Sequence, residues 1–198
     1  MTEVTTTANA PTAPSPGRFG PSALLTPANI VTIARLLLVP VLVAVVIAHP
    51  VSWTTFTLAF LLACTDGIDG YIARRQGSTR SGAFLDPLAD KVLVLGALYA
   101  LVAAHVFPWL PVALITVREV AISAYRSYWG RRGLAVPARY WAKVKTVVQE
   151  LAIGLAVAPP LAAHPAVPLS VLWIAVGLTL VTGAQYLIDG RSAATTMV

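Results

Sequence analysis

The sequence predicts an all-α integral membrane protein of six transmembrane helices, and three observations carry that expectation. Charged residues make up only 11% of the 198 and hydrophobic residues 57%, whereas a soluble domain carries roughly 25% charged residues. Long apolar stretches recur along the chain: residues 30–48 hold a single charge, Arg35, and are about long enough to cross a ~30 Å hydrocarbon core. The Lys and Arg residues gather in alternate connections between these stretches, the pattern that marks a cytoplasmic face.

The first helix is expected over residues 27–48, where Thr26 suits the cap and Pro27 the first position, whose missing N–H costs nothing. The second is expected over 52–75 and the third over 82–105, with Gly77 and Ser78 breaking the chain between them. A fourth spans 109–128 and a fifth 139–158, separated by a break at 130–137, and a sixth spans 168–188. Residues 1–22, rich in Thr, Ala, Pro and Ser, read as a disordered tail. They lack the basic-then-apolar layout of a secretory signal, so no cleavage is expected. Residues 23–190 then form one six-helix membrane domain, and 191–198 a short C-terminal tail.

Six helices place both termini on one side, together with the connections between helices two and three and between four and five. Arg18, Arg74, Arg75, Arg80, Lys91, Arg126, Arg131, Arg132, Arg139, Lys143, Lys145 and Arg191 all fall on or near that side. The connections around 49–51, 106–107 and 162–168 carry no Lys or Arg. The positive-inside rule therefore puts the termini in the cytoplasm. The net charge of +6 does not point to nucleic acid, because no basic run is interleaved with aromatics. Cys64 is the only cysteine, which excludes an internal disulfide and reads as a small apolar residue. No internal repeat supports an inverted-repeat transporter.

Four of the eight acidic residues fall between Asp66 and Asp90. Carboxylates at membrane depth are costly and mark function by default. Asp66, Asp69, Gly70 and Ala73 recur at helical offsets and share one face of the second helix. Gly82, Asp86 and Asp90 recur every four residues on the third. A short connection is expected to bring these faces together near the cytoplasmic boundary. Converging carboxylates repel unless a cation sits among them, and hard oxygen ligands select a divalent ion such as Mg²⁺. Gly70 and Gly82 leave room for a bulky ligand, and Arg74 offers a planar donor to a phosphate. The structural alternative is a set of salt bridges to Arg74, Arg75, Arg80 and Lys91, which needs neither the glycines nor the shared faces.

Two further groups stand out. Asn29, Thr32 and Arg35 form a polar stripe on the first helix, suited to interhelical hydrogen bonds or to a ligand. Arg118 lies deep in the fourth helix beside Glu119, with Arg126 two turns on, and Lys143 and Lys145 open the fifth. Several such donors are what a phosphate requires. Anchoring to lipid headgroups would explain Arg126, Lys143 and Lys145 equally well, and an Arg118–Glu119 or Arg118–Glu150 pair would explain Arg118.

The run Asp66-Gly-Ile-Asp69-Gly70-Tyr-Ile-Ala73-Arg74, followed by Gly82, Asp86 and Asp90, resembles the signature of the CDP-alcohol phosphatidyltransferase family, with all eight fixed positions present. One spacing departs from it: seven residues separate Arg74 from Gly82 where family members usually have eight, a difference that falls in the turn. The resemblance implies a homodimeric six-helix fold in a bacterial plasma membrane, with a dinuclear Mg²⁺ or Mn²⁺ site. It implies that Asp66, Asp69 and Asp86 are metal ligands, and that Asp90 touches the metal site and is the catalytic base on an alcohol. It likewise places Gly70, Ala73, Arg74 and Gly82 against the cytidine diphosphate of the donor lipid, with Asn29, Thr32 and Arg35 beside that nucleotide.

Arg118-Glu119-Val-Ala-Ile-Ser123-Ala-Tyr-Arg126 and Lys143-Val-Lys145-Thr146, with Gln149, resemble the phosphatidylglycerophosphate synthase branch. That likeness covers roughly residues 26–149, and the sixth helix adds little that is specific. It implies CDP-diacylglycerol and sn-glycerol 3-phosphate as substrates, with Arg118, Arg126, Lys143 and Lys145 around the acceptor phosphate. The rivals are a cardiolipin synthase using phosphatidylglycerol, an inositol-phosphate transferase, and, in another class, a membrane transporter or cation-binding protein.

Overall fold

The computed structural model describes residues 27–76, 82–131 and 140–195, with side chains over 29–65, 87–125, 127–128 and 144–185. Six α-helices follow in order: α1 Pro27–Ala48, α2 Trp53–Gln76, α3 Gly82–Ala103, α4 Trp109–Arg131, α5 Tyr140–Val157 and α6 Ala166–Thr195. A single 3₁₀ turn, Pro159–Leu161, stands between α5 and α6. Among the described residues there is no strand. The expected N-terminal tail and the breaks at Gly77, Ser78 and 132–137 lie outside the described residues.

Local chemistry sets the start of α2 and the end of α3. Ser52 caps α2, its Oγ accepting the Thr55 N–H at 3.1 Å, while the Thr55 hydroxyl donates to the His49 carbonyl at 2.5 Å. This satisfies a first-turn N–H that has no partner within the helix. α3 stops two residues short of expectation because the chain turns left-handed at His105, φ 58°. The Val106 N–H reaches back to the Leu101 carbonyl at 2.9 Å and the His105 N–H to Val102 at 3.0 Å, closing a Schellman arrangement.

Two helices run longer than expected. α4 continues through Gly130 to Arg131, since one glycine in a last turn costs only about 1 kcal/mol. α6 starts two residues before Pro168, which the first turn tolerates because no N–H is needed there. It also runs past residue 188 to Thr195, through Gly190, which again fails to stop a helix by itself.

α1 packs most extensively on α3, and α5 on α6; α1 also meets α2, α4 meets α6 and α3, and α5 touches α2 and α3. The core runs through Leu42, Val46, Leu98, Leu101, Val112, Ile115, Val157 and Leu172. Gly96 sets the α1–α3 approach: a Cβ there would come within 3.1 Å of Val39 Cγ1.

The outward faces are apolar, with Leu37, Trp53, Phe60, Trp109, Val117, Val120 and Ile174 all exposed. Among the described residues two stretches are long and apolar enough to cross a membrane, Asn29–Ala48 and Ala166–Gln185, and Trp53–Thr65 is a shorter apolar stretch. The middle helices carry charges: Asp86, Asp90 and Lys91 on α3, Arg118 and Glu119 on α4, Lys145 and Glu150 on α5.

Candidate active site

The polar stripe of α1 turns inward. Asn29, Thr32 and Arg35 are each at most 1% exposed, although they sit on the most apolar helix of the chain. A guanidinium buried so completely requires acceptors around it. Arg35 Nε donates to Thr65 Oγ1 of α2 at 3.3 Å, and Thr65 anchors itself on the Leu62 carbonyl at 2.7 Å. The residue after Thr65 is Asp66, so the stripe is tied to α2 at the start of the carboxylate run.

Asp66, Asp69, Gly70, Ala73 and Arg74 all lie on α2, and Gly82 and Asp86 on α3. Their side chains lie outside those described, as do those of Arg126 on α4 and Lys143 on α5. Among the described residues no three metal-ligating side chains cluster. The chemistry of the donor set is nonetheless that of a hard divalent cation: two helices carry carboxylates at offsets of three and four, and α1 packs against both helices.

Asp90 is the described member of the four. It is half-buried and borders a small cleft between α3, α4 and α5. Lys91, Glu119, Lys145, Thr146 and Gln149 line the same cleft, with Val94 and Leu95 as its apolar floor. Two carboxylates thus share a small space with two ammonium groups and two neutral polar side chains. Lys91 Nζ donates to Ser123 Oγ, and that hydroxyl donates to the Glu119 carbonyl at 2.5 Å, fastening α3 to α4.

Behind the cleft lies a charged cluster. Glu119 Oε1 accepts from Arg118 Nη1 at 2.9 Å and also from Lys145 Nζ, and all three residues are less than 10% exposed. The Arg118–Glu119 pair is therefore formed, and Lys145 joins it. Two cations thus share one carboxylate, with Asp90 a second carboxylate on the cleft they border. Arg118 Nη2 donates to Thr182 Oγ1 of α6 at 2.8 Å, and Gln149 Nε2 donates to Thr179 Oγ1 at 3.1 Å. Of the expected phosphate ligands, Lys145 borders the cleft directly, whereas Arg118 reaches it through Glu119.

The α6 partners are what the sequence did not single out. Thr179 and Thr182 are buried at 0% and 3%, and a Cβ on Gly183 would lie 3.1 Å from Arg118 Nε and 3.2 Å from its Cγ. The available signal was the Thr179, Thr182, Gly183 spacing of three and four. It is a faint one, because small polar residues in an apolar helix commonly serve packing alone.

The chain is similar to known proteins over most of its length. A family model described as CDP-alcohol phosphatidyltransferase matches residues 25–181. A probable phosphatidylglycerophosphate synthase of Mycobacterium tuberculosis is 38% identical over 168 residues, covering 80% of this chain and 78% of that protein. The CDP-diacylglycerol–glycerol-3-phosphate 3-phosphatidyltransferase of Pseudomonas fluorescens is 40% identical over 170 residues, covering 80% and 87%. The Escherichia coli protein with that name is 38% identical over 173 residues, covering 83% and 94%.

Proposed function

The chain belongs to the CDP-alcohol phosphatidyltransferase family, and from that premise we propose that it is a membrane enzyme transferring the phosphatidyl group of CDP-diacylglycerol to sn-glycerol 3-phosphate. The products are phosphatidylglycerophosphate and CMP. The observation that carries the acceptor is the shared cleft of Asp90 and Lys145, which sets a base beside a cation suited to the acceptor's phosphate.

The roles follow from position. The Asp90 carboxylate takes the proton of the acceptor hydroxyl. The freed oxygen bonds to the phosphatidyl phosphorus as the bond from that phosphorus to CMP breaks. Lys145 holds the acceptor phosphate in the cleft, with Arg118 behind it and Arg126 and Lys143 at the ends of α4 and α5 nearest the cytoplasm. The buried Asn29, Thr32 and Arg35, with Gly70, Ala73, Arg74 and Gly82, hold the cytidine diphosphate. Asp66, Asp69, Asp86 and Asp90 would hold a pair of Mg²⁺ or Mn²⁺ ions, which when bound neutralise the diphosphate and stabilise the departing CMP.

The wider arrangement is part of the same reading. Residues 23–190 form one catalytic domain of six spans, between an N-terminal tail of residues 1–22 and a C-terminal tail of residues 191–198. The spans lie in a bacterial plasma membrane with both termini and the active site facing the cytoplasm, and two copies pair as a homodimer. Charged residues on α3 to α5 are compatible with spanning because Arg118, Glu119 and Lys145 satisfy one another inside the bundle and Lys91 donates to Ser123.

Purified protein in detergent is expected to release CMP from CDP-diacylglycerol only with glycerol 3-phosphate and a divalent ion present, and to stop on chelation. Release with phosphatidylglycerol or an inositol phosphate in its place would reassign the acceptor. No release with any acceptor would remove the transferase reading.

A further inference from the structure

We infer that α6, through Thr182 and Gly183, positions the acceptor-binding cations, so that a helix contributing no side chain to the cleft lining sets the enzyme's affinity for the acceptor. The inference rests on glycerol 3-phosphate being the acceptor.

The connection is continuous and each link is buried. Thr182 Oγ1 donates to the Leu178 carbonyl at 2.7 Å, which fixes its rotamer and turns a lone pair outward. Arg118 Nη2 donates to that lone pair at 2.8 Å, and Nη1 donates to Glu119 Oε1 at 2.9 Å. The same oxygen holds Lys145, which borders the cleft beside Asp90.

The aliphatic stem of Arg118 lies across Gly183, where a methyl group would meet Cγ at 3.2 Å and Nε at 3.1 Å. Stem and head are thus fixed by successive residues of one helix. A guanidinium clamped at both ends orients Glu119, and Glu119 orients Lys145. The parallel bond from Gln149 to Thr179 fastens a second cleft residue to the same face of α6. A merely structural α4–α6 contact would need neither the bond to a charged group nor the absent side chain beneath it.

The test compares the wild type with Thr182→Val, Thr182→Ser and Gly183→Ala in the CMP-release assay, varying each substrate in turn. Thr182→Val is expected to raise the KM for glycerol 3-phosphate about tenfold, the order of one lost hydrogen bond to a charged group. The KM for CDP-diacylglycerol should stay as it was. Thr182→Ser, which keeps the hydroxyl, should restore the wild-type value. Gly183→Ala should move the same constant in the same direction, and reads the connection even if the valine variant fails to fold. An unchanged glycerol 3-phosphate KM, an equal rise in both KM values, or no rescue by serine would overturn the inference. A wild type that uses another acceptor instead would be the failure of the acceptor reading, seen before any variant is compared.

Discussion

Arg35 of α1 and Thr65 of α2 are joined by a 3.3 Å hydrogen bond from Nε to Oγ1, one residue before the first aspartate of the signature. This bond fixes a fully buried guanidinium against the helix that bears Asp66 and Asp69. On the proposed reading the α1 stripe is part of the donor side of the site. Thr65→Val keeps the shape and removes the acceptor. It is expected to raise the CDP-diacylglycerol requirement several-fold and leave the glycerol 3-phosphate requirement alone, measured by initial rates of CMP release. Equal effects on both substrates would make the bond a packing contact.

Asp90 is the one signature carboxylate whose surroundings are described, and they suit a base: half-buried, with Lys91 and Lys145 on the same cleft. Asp90→Asn retains the volume and loses the proton acceptor. Turnover should fall by roughly 10²-fold or more, the usual share of general base catalysis, while CDP-diacylglycerol still binds in a direct titration. Retained turnover would exclude Asp90 as the base.

Much of this arrangement was legible in the sequence, and the physical reasons for the exceptions are specific. The starts of α1 and α2 were readable because Pro27 and Ser52 act locally. The stripe at 29, 32 and 35 was readable because three polar residues at helical spacing in an apolar helix have to face something. Where α4 and α6 end was not, since Gly130 and Gly190 weaken a helix without stopping it. The partner of Arg118 was legible only as a choice between Glu119 and Glu150, and the structure takes Glu119. Adjacent residues diverge by about 100° around a helix, which disfavours an Arg118–Glu119 pair until Lys145 and Thr182 draw both side chains to one place. Thr182 itself was silent, because a threonine can satisfy its hydroxyl on its own helix carbonyl. Here it does so and still accepts from Arg118.

Glu119 accepts two buried cations on one oxygen, so removing its charge should cost more than removing the whole ion pair. Breaking a buried pair from one side costs about 3–5 kcal/mol, whereas replacing both partners by neutral groups is often close to neutral. Glu119→Gln is therefore expected to lower the unfolding temperature in detergent. Adding Lys145→Met should recover much of that loss, while CMP release with glycerol 3-phosphate stays impaired. Additive losses of stability in the double variant would show that the two side chains do not depend on each other.

His105 takes a left-handed backbone, φ 58°, at the end of α3, where its N–H and that of Val106 close the helix on Val102 and Leu101. A side chain in this region costs roughly 1–2 kcal/mol, which glycine avoids, although glycine loses more chain entropy on folding. The balance favours His105→Gly by about 1 kcal/mol, worth roughly 2–4 °C in unfolding temperature for a chain of this size. His105 is exposed and lies at the far end of α3 from the signature, some 15 residues or about 22 Å along the helix from Asp90. Activity should therefore match the wild type while the melting curve moves upward. A downward shift would mean that the imidazole makes a contact worth more than the backbone strain it imposes, and a change in CMP release would mean that the α3–α4 turn communicates with the site.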